Sequence, residues 1–428
     1  MSEKPLMMLL GDLGILDRGR SRHRPRYASH LYGGKYPFIQ TGDIKSSGGR
    51  ITTFNQTYSE AGLEQSRLWD AGTLCITIAA NIAETAILSF PACFPDSVVG
   101  FIANEKKCDT QYIEYTFRYL RQKIQGDASG SVQDNINLEY LRKLPVPIWS
   151  LLKQKAIAHI LGTLDEKIEL NTRTNEILED IAKALFKSWF IDFDPVRAKV
   201  EGRSIGLSNE ISKLFPDSFW DSEFGEIPSG WVINSLDNIA DYLNGLASQK
   251  YPPKGELTDL PVIKIAQLRK GNTLESDQCS DEIGEEYVIK DGDILFSWSG
   301  SLLVDLWTGG VGALNQHLFK VTSDRYQKWF FYYWTKHHLQ EFKSIAKRKA
   351  TTMGHIQRRH LSEAKVLIPS SECLTKISTM FGSILERQIN IRLESRTLTQ
   401  LRDALLPKLI SGKLKLPDAE KMLEEVGI

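Results

Sequence analysis

From Leu151 to Phe190 apolar residues recur at helical spacing, with no proline and, beyond Gly162, no glycine. Ile157, Leu161, Leu164, Ile168, Leu178, Ala182 and Leu185 step by four and three in alternation once Asn171 and Asn175 are counted as polar members of the same seam. That is the a/d pattern of a helix seeking a partner helix. At about 1.5 Å per residue it predicts a rod of roughly 60 Å. A lone helix of this kind leaves its seam in water, so a partner is required. A second run between Cys373 and Leu409 supplies one, with Ile377, Phe381, Ile384, Ile391, Leu398 and Leu405 in the same alternation.

The two runs are copies. Residue 377 answers 157, 381 answers 161, 398 answers 178 and 405 answers 185, a constant shift of 220 positions. Gly382, Glu386 and Ala404 follow Gly162, Glu166 and Ala184 by the same shift. So long a period excludes a solenoid and predicts one duplicated unit: globular domain, long helix, globular domain, long helix.

Before the first helix, short β-type runs such as Thr73-Leu74-Cys75-Ile76-Thr77-Ile78 alternate with Gly, Asn and Pro. A helical segment, Thr110 to Gln125, follows, and Leu144-Pro145-Val146-Pro147-Ile148 stops regular structure ahead of the rod. The second domain repeats the framework: Pro261-Val262-Ile263 answers Pro37-Phe38-Ile39, and Asp291-Gly292-Asp293-Ile294-Leu295 answers Ala71-Gly72-Thr73-Leu74. The expected division is 1–148, a first domain; 149–192, a helix; 193–229, a polar linker and entrance; 230–369, a second domain; and 370–428, a second helix with its tail. The fold class is mixed α/β (α+β), with the helices paired antiparallel and an internal pseudo-two-fold repeat. Framework shared between copies while polar loops differ suggests one scaffold displaying two specificities; drift after an old duplication gives the same pattern.

Composition narrows the class. The 428 residues carry 42% hydrophobic side chains and a formal net charge of +0, with pI about 7.1, so nucleic-acid affinity must come from local clusters. Five scattered cysteines without a CxxC pair point to reduced thiols, and no run reaches the ~18 apolar residues of a membrane span. The expectation is a cytoplasmic protein without membrane contact. Catalytic patterns are missing: no G-x-x-x-x-G-K-[ST], no G-x-G-x-x-G after a strand, no His-Glu-x-x-His. His337-His338 read as a solvated helix face, Asp192 and Asp194 as structural carboxylates, and the run Trp329–Trp334 as a packed helix in preference to a base-stacking platform.

Basic clusters carry more information. Arg18, Arg20, Arg22, Arg24 and Arg26 recur at every second position near the start, with Asp17 the nearby acid. On an extended segment they would share one face, suited to a phosphate backbone. Lys347, Arg348, Lys349, Thr351, Thr352, His355 and Arg358 form a comparable acid-free stretch in the second domain, whose counterpart in the first holds Ser131, Gln133 and Asn135. Amides and hydroxyls address base edges while Arg and Lys neutralise phosphates. A basic run alone is usually a solvated surface; one in each repeated domain of a neutral chain gives the nucleic-acid reading its weight.

Leu185-Phe186-Lys187-Ser188-Trp189-Phe190-Ile191-Asp192-Phe193-Asp194-Pro195-Val196, Phe215-Pro216, Gly225-Glu226-Ile227-Pro228-Ser229-Gly230-Trp231, Gln154-Lys155-Ala156-Ile157-Ala158 and Leu405-Leu406-Pro407-Lys408-Leu409-Ile410-Ser411-Gly412 together resemble the specificity (S) subunit of type I restriction-modification systems, over practically the whole chain. The resemblance implies a non-catalytic subunit with two target-recognition domains, each reading half of a bipartite, asymmetric sequence in double-stranded DNA. The paired helices would set the spacing and dock two methyltransferase subunits, with motor-nuclease subunits completing the complex. No cofactor is expected on this chain; S-adenosylmethionine would belong to the methyltransferase partner. A helix-pair scaffold that reads no DNA, and a stand-alone DNA-modifying enzyme, remain the alternatives.

Overall fold

The computed structural model describes residues 4–129, 136–204, 206–223, 225–348 and 354–427. They divide into two compact units: Met1–Ile168 with Leu398–Ile428, and Glu169–Thr397.

In the first unit a five-stranded sheet runs in the order Gly14–Arg18, Val98–Ala103, Leu74–Thr77, Thr85–Leu88, Arg50–Ile51. All neighbours are antiparallel except the last pair. The alternating runs read from the sequence are these strands, and Leu74 to Thr77 is buried throughout because it lies centrally. The helix Thr110–Ser129 covers the sheet, burying Tyr112, Ile113, Tyr115 and Phe117. Leu6–Leu9 pairs antiparallel with Pro145–Ile148. The Pro-x-Pro segment is therefore a strand, contrary to its reading as a stop. Two prolines two residues apart turn their missing N–H groups to the same outer edge, where a two-stranded ribbon has no partner to lose.

The second unit repeats this plan. A four-stranded antiparallel sheet has the order Asp241–Asn244, Leu318–Thr322, Ile294–Ser297, Leu303–Leu306, and Val232–Ser235 pairs with Lys365–Ile368. Strand Ile294–Ser297 follows Leu74–Thr77, helix Arg358–Glu363 follows Leu138–Lys143, and Lys365–Ile368 follows Pro145–Ile148, each at the shift of 220 (294 against 74, 358 against 138, 365 against 145). Gly72 and Gly292, also 220 apart, both hold φ near +85° (85° and 86°) in the turn before the central strand. Space around Gly72 is open, so the left-handed backbone is what demands glycine there. The aromatic run lies in the helix Lys328–Arg348 and is buried from Trp329 to Trp334.

The first long helix spans Leu151–Phe190, the limits its periodicity predicts. It ends where Phe193 turns left-handed (φ 57°) ahead of Pro195. The second spans Ser371–Ser411 and stops at Gly412 (φ 76°). It passes through Pro407, which forfeits only one amide in the final turns. Within the first unit the helices run antiparallel: Trp149 Nε1 donates to the Ile410 carbonyl (3.2 Å), and Arg402 reaches Asp165 (2.7 Å). Within the second, Asn171 Nδ2 donates to Glu394 (3.2 Å), and Trp189 meets Phe381 edge-on at 5.9 Å.

Of the predicted seam, Ile157, Leu161, Leu164, Ile377, Phe381, Ile391, Leu398 and Leu405 are buried, whereas Ile168, Leu178, Leu185 and Ile384 are half-buried. The reason is that the rods also carry the domains. Phe381 stacks on Trp329 of the domain helix at 4.7 Å, and Leu385, outside the heptad, is buried in place of Ile384. The amide oxygens of Asn175 and Gln388 are buried without a partner among the described residues, so the polar stretch of the seam is only partly satisfied. The stretch 193–229 is built, not slack. It holds the helices Asp194–Val200 and Asn209–Ser212 and the hairpin Phe219–Ser222/Gly225–Pro228, and it buries Val196, Phe215 and Ile227.

Asp165 joins three helices of the first unit. Its carboxylate accepts from Tyr115 Oη (2.8 Å), Arg118 Nη1 (3.1 Å) and Arg402 Nη1 (2.7 Å), and about a fifth of the side chain is exposed (21%). Replacing it (Asp165→Ala) leaves two half-buried guanidiniums short of a partner and is expected to destabilise the chain by about 3 kcal/mol; an unchanged urea midpoint would remove this hub from the stability of the fold. In the second unit, burial works to raise the Asp291 carboxyl, but the two-pronged Arg396 bonds (2.8 Å each) and the Gly310 N–H hold it below its ordinary value. A depressed carboxylate stabilises above its unfolded value and loses that contribution as pH falls through the folded one. Stability curves of wild type and Asp291→Asn should therefore lie apart at neutral pH and converge in acid; a gap constant down to the acid limit contradicts the linkage.

Candidate nucleic-acid interface

In the first unit the strand ends at Arg18, and residues 19–28 form an irregular loop, so the arginines do not alternate along an extended segment as expected. The loop is pinned from below. Gly19 N donates to the Val98 carbonyl (2.8 Å) and Arg20 N to that of Phe94 (3.1 Å). A Cβ at position 19 would lie 2.3 Å from the Pro95 carbonyl oxygen, which is why glycine stands there. Ser66 Oγ holds the Arg20 carbonyl (2.8 Å), and Gln65 accepts from His23 N (3.0 Å).

These contacts sort the five arginines. Arg24 folds back onto the carbonyls of Ser21 (2.7 Å) and His23 (2.9 Å). Arg26 grips both oxygens of Asp96 (3.0 and 2.9 Å). These two brace the loop. Asp17, the nearby acid, is engaged by Arg67 (2.8 Å), whose guanidinium also lies 3.8 Å over Trp69. Arg18, Arg20 and Arg22 remain exposed, with no ion pair among the described residues. Ser131, Gln133 and Asn135 lie outside the described residues.

In the second unit Lys347 and Arg348 end the helix Lys328–Arg348 and are exposed. Lys349, Thr351 and Thr352 lie outside the described residues. Beyond them Gly354 and Ile356 zip onto the loop after the central strand: Gly300 N donates to the Gly354 carbonyl (2.8 Å), and Ile356 N to that of Trp298 (3.0 Å). His355 is exposed and bridges Ser299. Arg358 turns inward, donating to the Tyr242 carbonyl (3.0 Å) with its guanidinium 5.6 Å from the Phe319 ring, so its geometry is that of a brace.

The fold also assembles a basic cleft of about 440 Å³, lined by Arg269, Lys343, Lys347 and the segments around Ser301 and Gly354. No ion pair engages these three cations among the described residues. Lys343 is legible in hindsight, one helical turn before Lys347 on the same face. Arg269 is not, since only the fold brings the end of helix Ile265–Lys270 beside it.

The remaining polar candidates are structural. His338 is buried, not solvated: its Nε2 meets the Lys365 carbonyl (2.8 Å) and its ring stacks on Trp334 at 6.1 Å, while His337 stays exposed. Ser188 Oγ donates to Asp194 (2.7 Å) and Lys187 pairs with Asp192, so both carboxylates hold the turn after the first rod. Among the described residues no His/Cys/Asp/Glu group could hold a metal ion, and no helix is long and apolar enough to cross a membrane.

The model of the type I restriction modification DNA specificity domain matches this chain twice, over residues 7–180 and 228–402. The chain belongs to that family. It is 26% identical over 405 residues to the type I restriction enzyme MjaIX specificity subunit of Methanocaldococcus jannaschii, covering 90% of this chain and 88% of the relative. The EcoKI specificity subunit of Escherichia coli is 22% identical over 436 residues, covering 93% and 87%. The crystal structure of the type I restriction-modification S subunit from M. genitalium matches with a TM-score of 0.54 at 17% identity, covering 94% of this chain and 95% of that one, a likeness of fold. One family domain falling on each copy agrees with the repeat read from the sequence.

For a specificity chain the sorted arginines give separable outcomes. Arg20→Ala with Arg22→Ala should flatten the dependence of log K on log salt by about 2. Arg26→Ala should leave that slope unchanged while lowering the melting temperature. Duplex titrations at several salt concentrations decide; a slope indifferent to positions 20 and 22 takes them off the phosphates.

Proposed function

We propose that this chain is the sequence-reading subunit of a type I restriction-modification complex, with residues 1–148 and 230–369 as two readers, each addressing one half of a bipartite, asymmetric target in double-stranded DNA. The observation that carries this is the doubled family match on two copies of one framework whose exposed basic groups differ: Arg18, Arg20 and Arg22 in one, Arg269, Lys343 and Lys347 in the other. Phosphate contacts of this kind position a protein, and different neighbouring loops then specify different bases. The rods at 149–192 and 370–428, tied to each reader by buried contacts, act as spacer and as docking surface for two methyltransferase subunits. Methyl transfer from S-adenosylmethionine falls to those subunits and cleavage to a motor-nuclease subunit. Built from antiparallel helices, such a spacer is stiff enough to fix how many unread base pairs separate the half-sites, because readers on one duplex must keep step with its helical repeat of about 34–36 Å.

The competing readings fail differently in one experiment. Selection from random duplexes by the chain with its methyltransferase partner should enrich two short motifs at a fixed separation. A scaffold enriches none, and a stand-alone modifying enzyme alters DNA and methyl donor without a partner. Exchanging residues 347–357 for those of another specificity chain should change one motif only; altered bases in both halves, or a changed spacer, count against independent readers.

A further inference from the structure

The loop at residues 19–28 presents one side chain that packing does not explain. Tyr27 is 81% exposed, more than Trp220 (52%), Phe54 (47%) or Tyr119 (38%). No hydrogen bond or ring contact engages its side chain among the described residues. Its backbone, by contrast, is held on both sides. Ala28 N closes a turn onto the Pro25 carbonyl (3.2 Å), Tyr32 Oη donates to the Arg26 carbonyl (3.0 Å), Arg26 is forked onto Asp96, and Arg24 is bent back onto Ser21 and His23.

A single exposed aromatic is ordinary on a protein surface. Two features set this one apart. The loop commits two arginines to its own stiffening, so the ring is presented from a fixed base and loses little freedom on binding. The three arginines left over, Arg18, Arg20 and Arg22, are exposed on the same loop and the strand end that feeds it. A rigid aromatic on the same loop as unpaired guanidiniums suits a deformable base step flanked by phosphates: the ring wedges against the step and stacks on the base it unstacks while the cations hold the backbone.

The second copy supplies a contrast. Its loop between Asp241–Asn244 and Leu260–Ile263 is also braced, with Asp259 accepting the N–H groups of Lys254 (3.1 Å), Gly255 (2.7 Å) and Glu256 (3.2 Å). Lys254 there is paired with Glu282 (2.6 Å), and the exposed tip is Leu257 beside Glu256. An acid-flanked loop repels phosphate, so the inference concerns the first domain alone.

We propose that Tyr27 is a base-contacting, specificity-determining residue of the first reader, its ring wedging into a base step of that reader's half-site and stacking on the base it exposes while Arg18, Arg20 and Arg22 hold the adjoining phosphates. This rests on the DNA-reading function proposed above. The test uses the full chain with its methyltransferase partner, the duplex enriched by wild type, and the variants Tyr27→Ala, Tyr27→Phe and Tyr27→Trp, with Tyr119→Ala as a control on an exposed aromatic elsewhere in the first unit. Expected are a loss of affinity of about 5- to 100-fold for Ala with the salt slope unchanged, near wild-type binding for Phe and Trp, and a repeat selection in which the Ala variant relaxes one half-site only. Melting temperatures should not move, because nothing packs on the ring. Ala binding as tightly as wild type with the same preferences at every position overturns the assignment and leaves the reading function standing. Equal losses in Ala and Phe overturn stacking in favour of a hydroxyl contact, and a flattened salt slope overturns it in favour of phosphate positioning. Failure of wild type itself to enrich any motif overturns this assignment together with the function on which it rests.

Discussion

Two helices with interchangeable apolar seams must pair with each other and not with their own kind, and the contact between Asp165 and Arg402 supplies the discrimination. The repeat makes the point quantitative: the residue 220 after Asp165 is Leu385, and the residue 220 before Arg402 is Ala182, both buried in the second unit. An antiparallel pair of two first rods would set Asp165 against Ala182; a pair of two second rods would set Arg402 against Leu385. Either arrangement sets a charged group opposite a hydrocarbon and forfeits the Asp165–Arg402 pair, which the mixed pairing keeps. Only the mixed pair joins Asp165 to Arg402 and, in the other unit, Asn171 to Glu394. Apolar burial makes the helices pair; these polar groups decide with what, the role a buried polar seam residue plays in coiled coils.

The same asymmetry fixes each reader to the rods by a different mix of contacts. In the first unit the joint is polar. Asp165 holds Tyr115 and Arg118 of the domain helix, and the fully buried Gln154 accepts from Asp109 N (3.0 Å) while donating to the carbonyls of Lys107 (3.1 Å) and Trp149 (2.8 Å). In the second unit the ion pairs of Arg392 with Asp305 (2.9 Å) and Arg396 with Asp291 (2.8 Å) are joined by an aromatic layer. Phe381 stacks on Trp329, Phe186 meets Trp334 edge-on at 5.2 Å, and the position 220 after Gln154 is Leu374. Directional polar bonds and close-packed rings both resist rotation, which a reader needs if its loops are to meet a groove in register.

What the sequence discloses follows the range of the interactions. Rod limits, the duplication, the central strands and the paired glycines Gly72 and Gly292 were legible because each is a local period or a repeat of one. The sorting of the basic groups was not. Arg26 is a brace only because Asp96, far along the chain, comes to meet it; Arg358 is a brace because Tyr242 offers a carbonyl. Arg269 joins Lys343 and Lys347 by folding alone. Pro145 and Pro147 misled because proline excludes a central strand but not an outer edge, and His338 because adjacent residues on a helix point about 100° apart, so one can be buried while its neighbour stays exposed.

A net charge of +0 is itself part of how such a chain reads DNA. Sequence-independent affinity grows with every phosphate neutralised, and a specificity subunit must leave the many wrong sites of a genome. Here a set of arginines is engaged by the chain itself: Arg24, Arg26 and Arg358 brace loops, Arg118 and Arg402 hold the hub, and Arg392 and Arg396 bind Asp305 and Asp291. Among the described residues, a few exposed cations remain around each candidate surface, Arg18, Arg20 and Arg22 in the first domain and Arg269, Lys343, Lys347 and Arg348 in the second, to position a duplex. The balance between right and wrong sequences then falls to uncharged contacts on stiff loops, so a fold whose framework is duplicated can read two different half-sites by changing little beyond them.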